Sequence, residues 1–327
     1  WSGCCAAQTY CDASTGSHTH RGGTGNVGGR ITDTGHPVCA GEMGPQAVSL
    51  VIPACQDQAI KHMQPYIQDI ISATNRVILG KDRQIHMALA CILARGHLLI
   101  EDLPGMGKTT LAHTLAQVLG LKFNRVQFTS DLLPADILGV SVYDRNNAVF
   151  QFHPGPVFTN VLLADEVNRA TPKTQSALLE VMEEGQVTIE GETRMLPQPF
   201  FVIATQNPTH HIGTFPLPES QLDRFLMRIA LGYPDAASER KLLQNNGGRD
   251  VVASLQPCID SQALIQLQTD VQQVLISDAI LDYLQALLHF TRHSPRFSTG
   301  LSPRAGLALR QCAQAWALME GRDFVIP

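Results

Sequence analysis

The stretch EDLPGMGKTT, residues 101–110, decides the fold of this chain. The short apolar run HLLIE at 97–101 precedes it and is typical of a buried strand in a parallel sheet. KTTLAHTLAQVLG at 108–120 follows it and has the apolar spacing of a helix that ends at a glycine. Backbone amides and the positive end of a helix dipole bind phosphate in this strand, loop and helix context. The sequence therefore predicts a phosphate-binding loop.

Residues of this loop suit the binding of phosphate and Mg²⁺. Lys108 can reach the β- and γ-phosphates of a nucleotide, and Thr109 can offer its hydroxyl to Mg²⁺, which prefers oxygen ligands. The strict pattern GxxxxGK[ST] has glycine where this chain has Asp102. Because aspartate tolerates a positive φ better than most residues, we expect the turn to survive. The predicted contact residues are Pro104, Gly105, Met106, Gly107, Lys108, Thr109 and Thr110.

A second stretch, VLLADEVNRA at 161–170, predicts a buried strand that ends on two carboxylates. Neighbouring side chains point to opposite sides of a strand, so Asp165 and Glu166 would reach the site from its rim. Asp165 suits Mg²⁺ through the water shell of the ion. Glu166 suits activation of a water molecule that attacks the γ-phosphate.

The rest of the chain predicts an α/β protein. NRVQFT at 124–129, VLLADE at 161–166 and FFVIAT at 200–205 are interpreted as three more buried strands, with a helix at 172–185 between the last two. Strands that alternate with helices indicate a doubly wound parallel sheet, with ligands at the carboxyl ends of the strands. Beyond Tyr233 and Pro234 the strands cease, and three helical patterns, at 238–244, 278–290 and 303–321, predict a small helical domain.

Composition narrows the class of protein. The 327 residues are 44% hydrophobic and 16% charged, which is ordinary for a globular chain of about two domains. The net charge of −5 does not suggest a strongly basic face for nucleic acid, although a local basic patch could still exist. No apolar run approaches the ~20 residues of a membrane helix, so we expect a cytoplasmic protein that is not inserted in a membrane.

The first part of the chain has a different composition. Residues 1–60 are rich in Gly, Ser and Thr, show no helical or strand period, and are predicted to be a disordered leader. Their Cys and His residues match no paired zinc-ligand spacing, so we do not expect a metal site from Cys4, Cys5, Cys11, His18 and His20. The chain begins with Trp1, which suggests a truncated or mistranslated start. We predict a nucleotide-binding domain at 61–232 and a helical domain at 233–327.

Four long segments resemble MoxR-type AAA+ ATPases: VQFTSDLLPADILG at 126–139, LLADEVNRATPKTQSALLEVMEEGQVTIEG at 162–191, IATQNP at 203–208 and GTFPLPESQLDRF at 213–225. The resemblance extends from about Asp69 to the last residue. It implies a P-loop NTPase of the AAA+ class, with a five-stranded parallel sheet followed by a small all-α lid. It further implies a hexameric ring that hydrolyses ATP with Mg²⁺ and remodels or matures partner complexes. Relatives commonly act with proteins that carry von Willebrand A-like domains; the client of this chain is unknown.

The resemblance also assigns residue roles. Asn207 corresponds to the polar sensor that holds the attacking water, although an Asn before Pro208 could also shape a loop. Arg224 corresponds to the arginine finger that a neighbouring subunit inserts into the site. Arg304 corresponds to a second sensor, carried by the lid and reaching the γ-phosphate of its own subunit. The resemblance places Val77, Ile78 and Gly80 against adenine, where simple core contact is a compatible alternative. Arg228 could share the role of Arg224 if the helix continues, but ordinary surface contacts are the favoured interpretation.

Two insertions, and a second departure from the family pattern after Asp102, complete the comparison. The segment at 139–158 resembles a loop that interrupts the second helix, and the alternation at 185–200 with Gly191 predicts a hairpin. By family analogy both contact partners or neighbouring subunits, while passive surface decoration stays open. His210 and His211 are interpreted as loop residues rather than metal ligands. Relatives more often carry Glu near position 210.

Three other functions are weighed. A magnesium-chelatase ATPase subunit shares much of this architecture. A DNA-stimulated AAA+ translocase is disfavoured by the acidic balance. A scaffold that binds nucleotide without hydrolysing it conflicts with the intact Glu166 and Arg224. The chain stops at Pro327, where relatives usually continue through a last helix, so we expect an incomplete lid that could impair stability and assembly.

Overall fold

The structure, a computed structural model, describes residues 54–208, 214–244, 252 and 254–327. Cys4, Cys5, Cys11, His18 and His20, the candidate metal ligands of the predicted leader, lie outside this part of the chain, as do His210 and His211. The first helix begins at Ala54, inside the segment 1–60 that was assigned to the leader. Ala54–Pro327 form one compact unit. The division into domains at 232/233 stays a prediction.

The secondary structure of the described residues alternates strands and helices and then becomes helical. The helices are α1 Ala54–Asn75, α2 Asp82–Leu93, α3 Lys108–Val118, α4 Pro134–Leu138, α5 Pro172–Glu184, α6 Glu219–Leu222, α7 Ala236–Gln244, α8 Ser261–Gln273, α9 Asp278–His293 and α10 Pro303–Met319. The strands are β1 Leu98–Glu101, β2 Phe123–Gln127, β3 Gly139–Asp144, β4 Val149–Pro154, β5 Val161–Asp165, β6 Gln186–Ile189, β7 Glu192–Met195, β8 Phe201–Gln206 and β9 Met227–Ile229.

Five of these strands form one parallel sheet in the order β2-β5-β8-β1-β9, which confirms the predicted fold class. β5 and β8 are buried, as expected for central strands. The expectation of a buried β2 is wrong, because this strand lies at the edge of the sheet and exposes Asn124, Arg125 and Gln127. The sequence interpretation also missed β9, on which Arg228 lies, so the helix does not continue through that residue.

Alternate strand residues fill a separate core on each face of the sheet. Leu98 and Ile100 of β1 join a core with α1, α2 and α3. Leu99, between them, joins the other core with residues of α4 and α5. This division follows from the two-residue period of a strand. Helices therefore cover both faces, and polar groups gather at the carboxyl edge.

The C-terminal helices pack on the first of these cores. Leu264 and Leu267 of α8 and Leu318 of α10 belong to the same buried cluster as the residues of α2. Gln268 Nε2 donates to the carbonyl of Ile92 at 2.8 Å, and this side chain is buried between the two helices. Helix α8 was not predicted, although Asp260 caps it by accepting from the amide of Ala263. The helical part is thus packed on the helices that cover one face of the sheet rather than held by a single linker.

Both insertions form β-hairpins. β6 and β7 confirm the hairpin predicted at 185–200, and Glu190 and Gly191 both have a positive φ, which suits a tight turn. The segment at 139–158 was expected to be a loop, but β3 and β4 pair over its length. Its Tyr143 and Phe150 rings face each other across the strands in a tilted arrangement, with their centroids 5.2 Å apart, and stay exposed. Such a cross-strand aromatic pair contributes to the stability of the hairpin.

His97 makes the stability of the fold sensitive to acid. Its Nδ1 accepts from the amide of Val202 and its Nε2 contacts the carbonyl of Met182, both at 2.9 Å. Burial lowers the pKa of His97 from 6.5 to about 4, against a smaller opposing effect of the Met182 hydrogen bond. The unfolded chain then takes up the proton first, so stability falls as the pH drops below 6.5.

Lowering the pH from 7 to 5 is therefore expected to reduce the free energy of unfolding by at most about 2 kcal/mol through this group. Urea unfolding of the wild type and of His97→Gln at both pH values measures the effect. The substitution should lower stability at pH 7 and flatten its pH dependence. If the free energy of unfolding changes equally with pH in the wild type and in His97→Gln, groups other than His97 cause the acid sensitivity.

Candidate active site

The loop between β1 and α3 forms an open backbone cradle. Gly105 and Gly107 both lie in the left-handed region, at φ +86° and +85°, where side chains are disfavoured. A Cβ atom added at either glycine would meet nothing within 4 Å, so the space in front of the loop is free. Lys108 begins α3, and the first amides of that helix face the cradle. The other predicted loop residues, Pro104, Met106, Thr109 and Thr110, lie along this turn and the start of α3.

Lys108 is held at the floor of the cradle. Its Nζ donates to the carbonyl of Asp102 at 2.5 Å and to Oδ1 of Asn207 at 2.9 Å. Burial lowers the pKa of Lys108, and the negative charges of Asp102, Asp165 and Glu166 oppose that effect. The lysine thus donates to neutral oxygen atoms and lies close to the negative charges of three carboxylates.

Asp165 lies at the end of β5, next to the first turn of α3. Thr109 Oγ1 is 3.5 Å from its Oδ2, so the two predicted magnesium residues are brought together. Thr205 donates to Oδ1 at 2.6 Å. Arg125 donates to Oδ2 through Nε at 3.1 Å and Nη2 at 2.7 Å. Oxygen atoms suited to a hydrated divalent cation therefore converge here, with an arginine that balances the carboxylate.

Glu166 and Asn207 meet beside the cradle. Asn207 Nδ2 donates to Glu166 Oε1 at 3.2 Å, while Asn207 Oδ1 accepts from Lys108. One amide therefore links the predicted base to the predicted phosphate-binding lysine. The second oxygen of Glu166 accepts from Gln127 at 3.1 Å and pairs with Arg169 at 2.8 Å. This network fixes the direction of the carboxylate.

The backbone of Glu166 is in a costly conformation. Its φ is +57°, in the left-handed region that non-glycine residues rarely adopt. Its amide donates to Thr205 Oγ1 at 2.9 Å, which holds the residue in place. Such strain costs about 1–3 kcal/mol and clusters at functional sites. The backbone at the end of β5 therefore sets the orientation of the Glu166 side chain at a cost in stability.

The predicted adenine segment lies between α1 and α2. Val77 and Ile78 are buried in the core that contains α1, α2 and α3, as the alternative interpretation expected. Their contact with a base stays a prediction. Gly80 has a φ of +68° and closely approaches Asp235 and Ser238 at the start of α7. This close approach requires glycine.

We expected the turn to survive because aspartate tolerates a positive φ. This reason is wrong. Asp102 is not among the described residues with positive φ. Its side chain instead accepts from the amides of Leu103 at 2.8 Å and Gly232 at 2.6 Å. The departure from glycine therefore adds hydrogen bonds rather than shaping the turn.

Arg224 and Arg304 share one carboxylate. Arg224 Nη1 lies 2.8 Å from one oxygen of Glu183 and donates to the carbonyl of Leu179 at 2.7 Å. Arg304 Nη2 lies 2.5 Å from the other oxygen of Glu183. The two arginines, with Met182 and Glu183, line a cavity of about 150 Å³. Both guanidinium groups are partly exposed.

This arginine pair lies away from the phosphate loop of its own chain. His97, which contacts the carbonyl of Met182, precedes β1, whereas the loop follows the other end of that strand. In this structure Arg304 is bound by Glu183 rather than placed beside the loop of its own chain, and its role at a triphosphate stays a prediction. The end of α10 packs in the core with α2, while at its start Ser302 donates to the carboxylate of Asp223 and Arg304 pairs with Glu183.

Sequence reasoning missed several residues at the carboxyl edge. Arg125 and Gln127 alternate along β2 and contact the two predicted carboxylates, and Thr205 contacts Asp165 and the amide of Glu166. The spacing of Arg125 and Gln127 by two residues was a usable signal, because it places both on one face of a strand. Their register against β5 could not be known without the sheet.

The fold and site agree with the matched family models. A model described as "ATPase family associated with various cellular activities (AAA)" matches residues 97–227, and one described as "AAA lid domain" matches 289–327. A crystal structure from Cytophaga hutchinsonii, described only provisionally as an ATPase, superposes with a TM-score of 0.77. It is 37% identical and covers 84% of this chain and 86% of its own. The parallel sheet, phosphate loop and C-terminal helices define the AAA+ class of P-loop ATPases.

Two relatives give the family within this class. YeaC of Bacillus subtilis (strain 168), named as an uncharacterized protein, is 46% identical over 81% of this chain and 83% of its own. Chaperone MoxR1 of Mycobacterium tuberculosis (strain ATCC 25618 / H37Rv) is 40% identical over 80% of this chain and 71% of its own. This chain belongs to the MoxR family of AAA+ ATPases. The matches do not favour the magnesium-chelatase alternative.

Proposed function

We propose that this protein hydrolyses ATP to ADP and phosphate and uses the reaction to remodel or mature partner protein complexes. The link from Lys108 through Asn207 to Glu166 supports hydrolysis most directly, because it joins a phosphate-binding cation to a candidate base. The open cradle at Gly105 and Gly107 fits a phosphate group.

The roles of the individual groups follow from their positions. Lys108 and the loop amides bind and orient the β- and γ-phosphates. Thr109 and Asp165 would hold Mg²⁺, directly or through water, and the ion would neutralise phosphate charge. Asn207 orients the attacking water, and Glu166 accepts a proton from it at a carboxylate oxygen. Arg125 balances Asp165 in the free protein.

We further propose a homo-oligomeric ring, a hexamer by family analogy, in which Arg224 serves the site of a neighbouring subunit. Its distance from the loop of its own chain supports use in trans. Arg304 is proposed to enter the same neighbouring site, because Glu183 holds both guanidinium groups together. Partners with von Willebrand A-like domains are proposed from family membership alone.

The described part of the chain has no helix long and apolar enough to cross a membrane. The cytoplasmic location inferred from the sequence stays a prediction.

Replacing Lys108 with Ala tests whether the cradle binds nucleotide. Loss of this partly buried cation is expected to weaken ADP binding by about 100-fold, since truncating one partner of a buried charge pair has effects of this size. Titration with a fluorescent ADP analogue measures the affinity. Lys173→Ala, an exposed lysine on α5, is the matched control. Unchanged binding by the Lys108 variant would overturn the proposed site.

A further inference from the structure

We propose that Asp102 is a positioning residue that couples occupation of the phosphate loop to the segment leading into α7. This segment, residues 231–235, is called the hinge segment below. The inference rests on the proposed nucleotide site and adds a residue that transmits its state. It is carried by the position of Asp102, which contacts both Lys108 and Gly232.

Asp102 makes contacts in two directions. Its carbonyl accepts from Nζ of Lys108 at 2.5 Å, and its own amide donates to the carbonyl of Gln206 at 3.2 Å. Its carboxylate accepts from Leu103 and, at 2.6 Å, from the amide of Gly232 in the hinge segment. The residue is 8% exposed, so water does not readily replace these partners. A movement of the lysine toward phosphate therefore acts directly on the residue that holds the hinge segment.

The hinge segment passes such a movement to α7 because it is fixed along its length. Gln84 Nε2 lies 3.4 Å from the carbonyl of Leu231, and Lys81 Nζ donates to the carbonyl of Tyr233 at 2.5 Å. Asp235 caps the first turn of α7 by accepting from the amides of Ala237 and Ser238. Displacement of Gly232 would therefore change the position of α7, because these hydrogen bonds hold the segment between them.

Charge gives the direction of the effect. Lys108 is a cation whose charge interacts with the carboxylate of Asp102. When the ammonium turns toward phosphate, the Asp102 carbonyl loses a donor and the carboxylate depends more on the amides of Leu103 and Gly232. Charged hydrogen-bond acceptors bind their donors more strongly than neutral ones. We therefore expect nucleotide to tighten the contact with Gly232 and to protect α7.

Two substitutions of Asp102 separate the tether from the shape of the loop. Asp102→Gly restores the strict loop pattern and removes both side-chain acceptors. Asp102→Asn keeps the size but leaves one oxygen, which cannot accept in both positions. Asp260→Ala is the control, because it removes another aspartate that accepts from a backbone amide, at the start of α8.

Hydrogen exchange of the full chain with and without ADP measures the coupling, together with ADP affinity and with kcat and KM for ATP. In the wild type and in Asp260→Ala, ADP should slow exchange in peptides that cover Gly232 and α7. Both Asp102 variants should bind ADP within about threefold of the wild type but lose this protection. Their kcat should fall by about tenfold with a smaller change in KM, as for loss of one charged hydrogen bond.

The outcomes distinguish this inference from the proposed function. If both Asp102 variants bind ADP and protect α7 as the wild type does, the coupling is refuted while the nucleotide site stands. If Gly232 exchanges at the same rate in wild type and variants without nucleotide, the tether itself is refuted. If the unmodified chain fails to bind ADP, the proposed function is overturned and the coupling with it.

Discussion

Replacing Glu166 with Gln is expected to lower the kcat for ATP by about 10³-fold while ADP binding stays close to that of the wild type. Glutamine has nearly the same size and its oxygen can still accept from Asn207, but its amide cannot take a proton from water. The fold and cradle should therefore persist. Phosphate release under saturating ATP measures the loss, and the fluorescent nucleotide titration measures binding.

Glu190→Gln is the matched control for this experiment. Glu190 is exposed in the turn between β6 and β7 and also has a positive φ, so it tests the same chemical change in a similar backbone conformation. Its activity should equal that of the wild type. Steady turnover by the Glu166 variant at more than a tenth of the wild-type rate would remove Glu166 from the role of base.

Replacing Arg224 with Ala is expected to reduce kcat by about 10³-fold, the lower end of the effect of an arginine finger on phosphoryl transfer. Arg224 lies with Glu183 and Arg304, away from its own phosphate loop, so its loss should spare ADP binding. Arg224→Lys should restore little, because an ammonium lacks the planar fork of a guanidinium.

Mixing two inactive variants tests whether Arg224 acts in trans. Subunits with Arg224→Ala keep an intact pocket, and subunits with Glu166→Gln keep an intact arginine. Where an Arg224→Ala subunit receives Arg224 from a neighbouring Glu166→Gln subunit, a complete site forms and ATP turnover should reappear. If the mixture assembles and stays inactive, the use of Arg224 in trans, and with it the ring mechanism, is contradicted. Sedimentation of each variant establishes that assembly is preserved.

The sequence predicted the elements that local patterns encode. The loop at 101–110 and the apolar run before Asp165 have strong spacing and turn residues, and both formed as expected. The hairpin around Gly191 followed from alternation and a turn that needs positive φ. β9 was missed because it has three residues, too few to show a period.

Errors arose where burial depends on the position of an element in the sheet. NRVQFT has the composition of a strand, but only the strand order makes β2 an edge strand. The segment at 139–158 lacked a recognised turn signal, and the pairing of its two strands, with Tyr143 opposite Phe150, was not expected. Local spacing carries no information about such partners.

The sequence by itself determined the phosphate loop, the acidic strand end and the alternation of helices and strands, because each depends on residues a few positions apart. Only the tertiary structure decided that Glu183 holds both Arg224 and Arg304, that Arg125 balances Asp165, and that Asp102 binds Gly232. These partners are separated by 40 to 130 residues. Their contacts follow from strand order and helix packing, which no local pattern of residues specifies.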